Sequence, residues 1–145
     1  MRNIDQSGLM SKPLLRKVDA VTFHVPDLEA GLSFYVDHLG HTLRWRHDDI
    51  GQAAVALPES DTEIVLTTQH GYEPNWLVDS AGDAADAIAC AGGRVLSPPV
   101  DVPVGRIAVV ADPFDNVLVL VDLAKGRYVT DEQGRTTGVD DELGA

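Results

Sequence analysis

The chain has 145 residues, of which 44% are apolar, and this is enough for one domain with a hydrophobic core. Its 23 acidic and 11 basic residues give a net charge of −12, a field that repels phosphate backbones, so no nucleic-acid binding is expected. The single cysteine excludes an internal disulfide, and no apolar run is long enough for a signal peptide or a membrane span, so a cytoplasmic protein without membrane contact is expected.

The first unit of the chain, residues 18–46, has the pattern of a strand, a helix and a second strand. Asp27 is suited to accept from the free backbone N–H groups of the first helical turn, and Gly40 can adopt the positive φ that ends a helix. An extended segment rich in aromatic and branched residues follows at 41–47. Period-two alternation in the first strand places on one face Val18, Ala20, Thr22 and His24.

Two more strands are predicted at 51–57 and 62–68, and the polar link 69–74 is expected to be an exposed connector. A second series of elements then begins, with a strand at 76–78, a helix at 80–91, and strands at 94–96, 104–111 and 116–123. Cys90, in the alanine-rich helix, is interpreted as a small buried residue. Pro98 and Pro99 are expected to interrupt the strand region after this helix.

The two series have the same order, and each helix is ended by a glycine, Gly40 in the first and Gly92 in the second. Such a repeat indicates two modules that bury their faces on each other, so we predict an α+β fold of two β–α–β–β–β modules. The sequence predicts three divisions of the chain. Residues 1–16 form a tail or an arm that packs on a neighbour, and residues 17–124 form a domain with the modules 17–70 and 75–124. Residues 125–145 form a small hairpin with a disordered end.

Two motifs carry a resemblance to a known family: D-L-E-x-G-L-x-F-Y-x-x-x-L-G at 27–40 and A-D-P-F-D-N-V-L-V-L at 111–120. Together with the repeat, they resemble the glyoxalase, bleomycin-resistance and extradiol-dioxygenase superfamily, also called the vicinal oxygen chelate proteins, over roughly residues 17–123. The resemblance implies a curled mixed sheet that forms a cup, with the helices outside it. It also implies homodimers and, in the enzymes, a divalent metal held inside the cup.

The residues at the family's four metal-ligand positions differ, in this chain, in their ability to coordinate a metal. The first position is Ala20, the second is Val65 or Glu63, the third is Glu73 with Asn75 as its neighbour on that face, and the fourth is Val119. Ala20 and Val119 have no coordinating atoms, whereas a catalytic divalent site needs about three protein ligands. We therefore predict no metal and no cofactor; if a metal did bind, His24, Glu63 and Glu73 would be the replacement ligands.

The residues expected to line a ligand site in the cup are Thr22, His24, Trp45, Glu63, Val65, Asn75, Trp76 and Val119. His24 is either a pocket residue or a hydrogen-bonded structural histidine, and Glu63 is either a pocket carboxylate or a solvated side chain after a turn. The two tryptophans, Trp45 and Trp76, are either stacking surfaces for a ligand or core residues.

These observations leave two classes of function open. A binding protein needs only a concave apolar site with a few polar groups, and the resemblance includes acidic, metal-free members that sequester basic planar drugs. We therefore hypothesise that the protein forms a homodimer and binds a small molecule without a metal. Drug sequestration is one function of this kind. The alternative is a metal-dependent lyase, isomerase or dioxygenase of the same superfamily, whose rate enhancement would depend on the metal.

Overall fold

The computed structural model describes residues 12–140, so the parts of the predicted tails at 1–11 and 141–145 lie outside the described residues. The first module contains the strands β1 (Lys17–His24), β2 (Leu43–His47), β3 (Gln52–Leu57) and β4 (Ser60–Thr67). Its helix α1 (Leu28–Leu32) continues as a π-helical segment, Ser33–His38, and a single 3₁₀ turn, Asp48–Ile50, precedes β3. Asp27 caps α1 by accepting from the Ala30 N–H at 2.7 Å, and Gly40 has a φ of +83°, as the sequence predicted.

The second module repeats this order. It consists of β5 (Glu73–Leu77), α2 (Ala81–Cys90), β6 (Arg94–Val102), β7 (Gly105–Ala111) and β8 (Val117–Asp122). Ser80 caps α2 by accepting from the Asp83 N–H at 3.1 Å, and Gly92 after the helix has a φ of +106°. The predicted repeat of β–α–β–β–β is therefore present in both halves of the described chain.

The two modules share one mixed sheet of eight strands, in the order β2-β3-β4-β1-β5-β8-β7-β6. The first strands of the modules, β1 and β5, pair antiparallel and join the halves. Both helices lie on the same side of the sheet, over separate apolar clusters: Leu66 and Val55 lie in the cluster under α1, and Leu120 and Val110 in the cluster under α2. This is the predicted α+β architecture, with the helices outside and the opposite sheet face free for a site.

Three local predictions are corrected by the structure. Pro98 and Pro99 do not interrupt the strand: β6 runs through them, with register shifts against β7 on the way, because an edge strand can omit donors on its unpaired side. Cys90 is exposed, not buried, since it ends α2 on the face away from the sheet. The connector after β4 is shorter than predicted, because β5 already begins at Glu73.

The segments that flank the two modules pack on this chain. Leu14 and Leu15 contact the cluster under α2, and the Arg16 N–H donates to the Leu77 carbonyl at 2.9 Å. At the other end, β9 (Arg127–Thr130) and β10 (Thr136–Asp140) form the predicted antiparallel hairpin. Within residues 12–140, none of the helices is both long and apolar enough to cross a membrane.

Candidate functional site

The candidate site lies on the sheet face away from the helices, which we call the concave face. A line of mutually paired residues crosses its centre from β4 through β1 and β5 to β8. Paired residues point to the same side of a sheet, so these side chains are neighbours. This central row consists of Glu63, Ala20, Asn75 and Val119.

Trp45 covers the first-module side of this row. A register shift between Leu43 and Trp45 turns the indole onto the concave face, where it packs against Ala20, Ala54 and Val65. These three small side chains leave room for a large flat ring. The indole Nε1–H donates to the Glu63 Oε1 at 3.1 Å, so the ring and the carboxylate form one unit.

Glu63 is a half-buried carboxylate, and its pKa is raised above the usual range. Burial is the main cause, partly offset by the hydrogen bond from Trp45, and the negative charge of Asp19 adds to the rise. Asp19 has a raised pKa as well, again chiefly through burial, against the lowering influence of Lys17 and Arg127. Two carboxyl groups with raised pKa values therefore lie within electrostatic reach of each other, and one of them, Glu63, accepts from Trp45.

Sequence reasoning missed Asp19, because strict alternation assigned it to the helix side of β1. A bulge between Val18 and Ala20 breaks that alternation. A signal was available: a charged residue at a position that should face an apolar helix is a reason to suspect an irregular strand.

Two other predicted site residues have different surroundings. The Thr22 hydroxyl lies 2.6 Å from the Gly71 carbonyl and 3.2 Å from the Glu73 carbonyl. It therefore donates its hydrogen bond to the segment that links the two modules. Its role in the structure is therefore to hold that link. His24, at the end of β1, is exposed and lies beyond the central row.

Trp76 is not on the concave face, which corrects the expectation that it lines the cup. Its side chain packs with the cluster under α2. The alternation that places Asn75 and Leu77 on the concave face already puts Trp76 on the other side. The structure therefore brings together Trp45, Glu63, Val65, Asn75 and Val119 and leaves Trp76 in the core of the second module.

The C-terminal hairpin covers part of this face, and its contribution was also missed. The ring of Tyr128 lies 4.7 Å from the Trp45 ring between centroids, and its hydroxyl is 3.4 Å from the His47 Nδ1. Burial raises the pKa of Tyr128. No local pattern joins residue 128 to residue 45, so only the tertiary structure could reveal this contact.

Two surface depressions lie away from the central row. One, of about 210 Å³, is bounded by Glu29, Leu32, Ser33, Val36, Asp37 and Leu43. The other, of about 190 Å³, is bounded by Leu39, Gly40, His41, Thr42, Ala56 and Pro58. The polar side chains of the first are solvated and do not converge on one point, so we place the site at the row, where a carboxylate and an aromatic ring meet.

The family model described as the Glyoxalase/Bleomycin resistance protein/Dioxygenase superfamily matches residues 17–120. The chain belongs to this superfamily. The match begins at β1 and runs to within β8, so it spans both modules and the whole central row.

Two similar proteins are CFP32 of Mycobacterium bovis and CFP32 of Mycobacterium tuberculosis, which both carry the provisional name glyoxylase. Each is 38% identical over 96 residues, which cover 61% of this chain and 36% of the relative. The matched region thus spans about a third of the length of these relatives.

Among solved structures, methylmalonyl-CoA epimerase from Mycobacterium tuberculosis is similar, with a TM-score of 0.60 and 21% identity over 81% of this chain and 94% of that one. A methylmalonyl-CoA epimerase variant from Streptomyces coelicolor has a TM-score of 0.58 and 20% identity over 76% of this chain and 99% of that one. At this level of identity the likeness establishes the fold and nothing finer.

The donor set does not fit the divalent metal that the superfamily implies. Ala20 and Val119 occupy two of the family's metal-ligand positions. They are 3% and 6% exposed and offer no coordinating atom. The indole of Trp45 fills the space over Ala20, and its N–H uses a lone pair of Glu63. Among the described residues, no three His, Cys, Asp or Glu side chains are grouped as a metal site would require.

Proposed function

We propose that this protein binds a small cationic aromatic molecule on its concave face without the help of a metal. The observation that carries the proposal is the unit formed by Trp45 and Glu63, a flat ring and a half-buried carboxylate joined by a hydrogen bond. A carboxylate of this kind gains from a cationic partner that replaces part of its lost hydration. An aromatic cation would supply both the charge and a face for the indole.

The surroundings support the same ligand class. Ala20 and Val65 support the Trp45 ring from below, and Val119 continues the central row with an apolar side chain, so the surroundings of the indole favour a ligand with a hydrophobic body. Asp19 adds a second carboxyl group near Glu63, and the net charge of −12 favours the approach of cations from solution. Sequestration of such a molecule, as by some drug-resistance proteins, needs no chemical step.

The alternative is an enzyme of the lyase, isomerase or dioxygenase type. The provisional name of CFP32 and the epimerase activity named for the structural relatives support it. The raised pKa values make Asp19 and Glu63 stronger bases than ordinary carboxylates, which favours a role in proton transfer. A metal-dependent form of this alternative lacks ligands at Ala20 and Val119, and for that reason we favour binding.

The test is a calorimetric titration with two probes of similar shape, proflavine as the cation and acridine as the neutral ring at pH 7.5. We expect saturable binding of proflavine in the presence of a chelator, and Glu63→Gln should weaken it about tenfold, which is about 1.4 kcal/mol. Acridine binding should change little in the same variant, because it has no charge for Glu63 to recognise.

Trp76→Phe is the matched control, since Trp76 lies on the other side of the sheet and should not affect either probe. Equal loss of both probes in Glu63→Gln would mean that the charge is not recognised. Binding or turnover that appears only after a divalent ion is added would refute the metal-free proposal and support the enzyme.

A further inference from the structure

We infer that the C-terminal hairpin is an internal ligand of the concave face, in which Tyr128 holds the place of an external ligand, and that this ligand is a basic phenol. The inference rests on the proposed function and narrows the ligand class from a cationic aromatic molecule to one that carries a phenolic hydroxyl. It also assigns the hairpin a regulatory role, because the ligand must displace it.

The first observation is the position of the Tyr128 ring. It lies on Trp45, with 4.7 Å between ring centroids and 50° between ring planes, and so covers the indole face that a flat ligand would use. The hydroxyl lies 3.4 Å from the His47 Nδ1, and the two rings meet edge to face at 5.5 Å. His47 and Trp45 thus receive a ring and its hydroxyl together, which is the recognition that a phenol requires.

The second observation is the charge next to this ring. Arg127 lowers the pKa of both Asp19 and Glu63, opposing the effect of burial on each carboxyl group. Arg127 itself is exposed, and as the neighbour of Tyr128 in β9 it points to the other side of that strand, so it acts on the two carboxyl groups only through its charge. A basic phenol would place its ring on Trp45 and its positive charge near the Glu63 carboxylate, which the indole N–H already contacts.

The third observation is that the hairpin is a separate ribbon joined to the main sheet at few points. The strands β9 and β10 form a two-stranded sheet with their own hydrogen bonds. The tip meets the edge of β2 through a single β-bridge between Arg46 and Arg135, in which the Arg46 N–H donates to the Gly134 carbonyl at 2.8 Å, and through an exposed ion pair between Arg135 and Asp48 at 3.5 Å. Gly126, with a φ of +120°, lies directly before β9 at the point where the chain would turn.

The test uses the full-length chain and its Tyr128→Ala variant, with tyramine as the basic phenol. The indole ¹H–¹⁵N signal of Trp45 reports on the site, and that of Trp76 reports on the integrity of the fold on the other side of the sheet. Without any probe, Tyr128→Ala should move the Trp45 signal and leave the Trp76 signal in place. A Trp45 signal that does not move would refute the docking of Tyr128 on Trp45.

With tyramine added, Tyr128→Ala should bind at least about tenfold more tightly than the unchanged chain, because the competing hairpin is weakened. Tyr128→Phe, which keeps the ring, should bind far less tightly than Tyr128→Ala. Phenethylamine, which lacks the hydroxyl, and 4-ethylphenol, which lacks the charge, should both bind Tyr128→Ala more weakly than tyramine does. Equal or weaker tyramine binding by Tyr128→Ala would show that Tyr128 is a wall of the site and would overturn the inference.

A measurement on the unchanged chain avoids dependence on any variant. Saturating tyramine should speed amide hydrogen exchange across residues 127–140, while the exchange of β1 and β4 stays slow. A Trp45 signal that shifts with tyramine while the hairpin exchange stays constant would contradict displacement.

The failure of this inference can be told from the failure of the proposed function. If the proposed function fails, proflavine binds neither the unchanged chain nor Tyr128→Ala. If only the hairpin inference fails, proflavine binds in a Glu63-dependent manner and Tyr128→Ala does not bind it, or tyramine, more tightly.

Discussion

The two modules have the same order of elements but differ on both faces of the sheet. In the first module, the concave face carries Trp45 and Glu63 and is partly covered by the C-terminal hairpin, whereas in the second module the same face is apolar, with Val119 buried and Val117 exposed. On the helix side, α1 is short and passes into a π-helical segment, whereas α2 is a regular helix of ten residues. The comparison indicates that polar recognition is concentrated in the first module and that the second supplies an apolar wall and a close-packed support.

The start of each helix shows the same division. Asp27 caps α1 from its own turn and is exposed. In contrast, Asp122 reaches α2 from β8: it is 2% exposed, its Oδ2 accepts from the Ala81 N–H at 2.7 Å, and its Oδ1 accepts from the Arg106 N–H at 3.0 Å. The buried Asp122 side chain thus joins α2 to β7 and β8 in the second module, whereas the cap of α1 is a local contact.

The largest expected effect follows from this difference. Asp122→Ala should lower the free energy of unfolding by about 3 kcal/mol, because it leaves buried N–H groups without an acceptor. Asp27→Ala, the matched change in the first module, should cost only about 1 kcal/mol, the usual value for an exposed cap. Urea unfolding of the two variants measures both values, and equal losses would contradict the distinction between the modules.

The exposed Val117 at the start of β8 suggests an interface, and we propose that the chain forms a homodimer there. Val117 is 58% exposed and lies on this face by its alternation with Val119. Val117→Asp should weaken the dimer at least about tenfold in light scattering over a dilution series, since a charge would be buried against apolar groups.

Phe34→Asp provides the comparison for this experiment. Phe34 is 49% exposed on the helical segment of the first module, and we expect its replacement to leave the dimer intact. A dimer that is sensitive to Phe34 and insensitive to Val117 would move the interface to the helix side, and a monomer at micromolar concentration would refute the dimer itself.

A smaller effect is expected in the pH dependence of stability. The pKa of Glu63 is raised on folding above its ordinary value of 4.5, so the folded chain binds more protons than the unfolded chain between those two pKa values. Stability contributed by this group therefore falls as pH rises through that window. Glu63→Gln should be more stable than the unchanged chain at neutral pH, and this advantage should vanish as pH falls toward 4.5.

Asp61, on the same strand, supplies a control of opposite sign. Lys17 lowers its pKa below the ordinary value of 3.8 through a hydrogen bond and its charge. Asp61→Asn should therefore be less stable than the unchanged chain at neutral pH, and the difference should disappear as pH falls below 3.8. Urea unfolding at several pH values follows both variants, and parallel curves for Glu63→Gln and the unchanged chain would exclude the raised pKa.

Most of the fold could be predicted from the sequence because its signals are local. The cap at Asp27, the glycines after both helices and the hairpin at the C-terminus depend on residues near one another in the chain, and each was confirmed. The repeat of the element order supplied the architecture, and the two motifs supplied the superfamily, which the family model confirms.

The site was less predictable because it depends on irregular strands and distant contacts. The bulge before Ala20 changes the side to which Asp19 points, and the register shift before Trp45 turns the indole onto Ala20. The contact of Tyr128 with Trp45 joins segments with no shared pattern. The misplacement of Trp76 could have been avoided by applying the alternation consistently, and the charge of Asp19 was a sign of an irregular strand.

The central position of β1 has a consequence for how the chain is synthesised. This strand is synthesised before both of its neighbours in the sheet, β4 and β5. Each module pairs its own four strands, β2-β3-β4-β1 in the first and β5-β8-β7-β6 in the second, and β1 and β5 join the two sets. The first module can therefore pair its strands before β5 has been synthesised, but the outer edge of β1 stays open to wrong partners until β5 pairs with it.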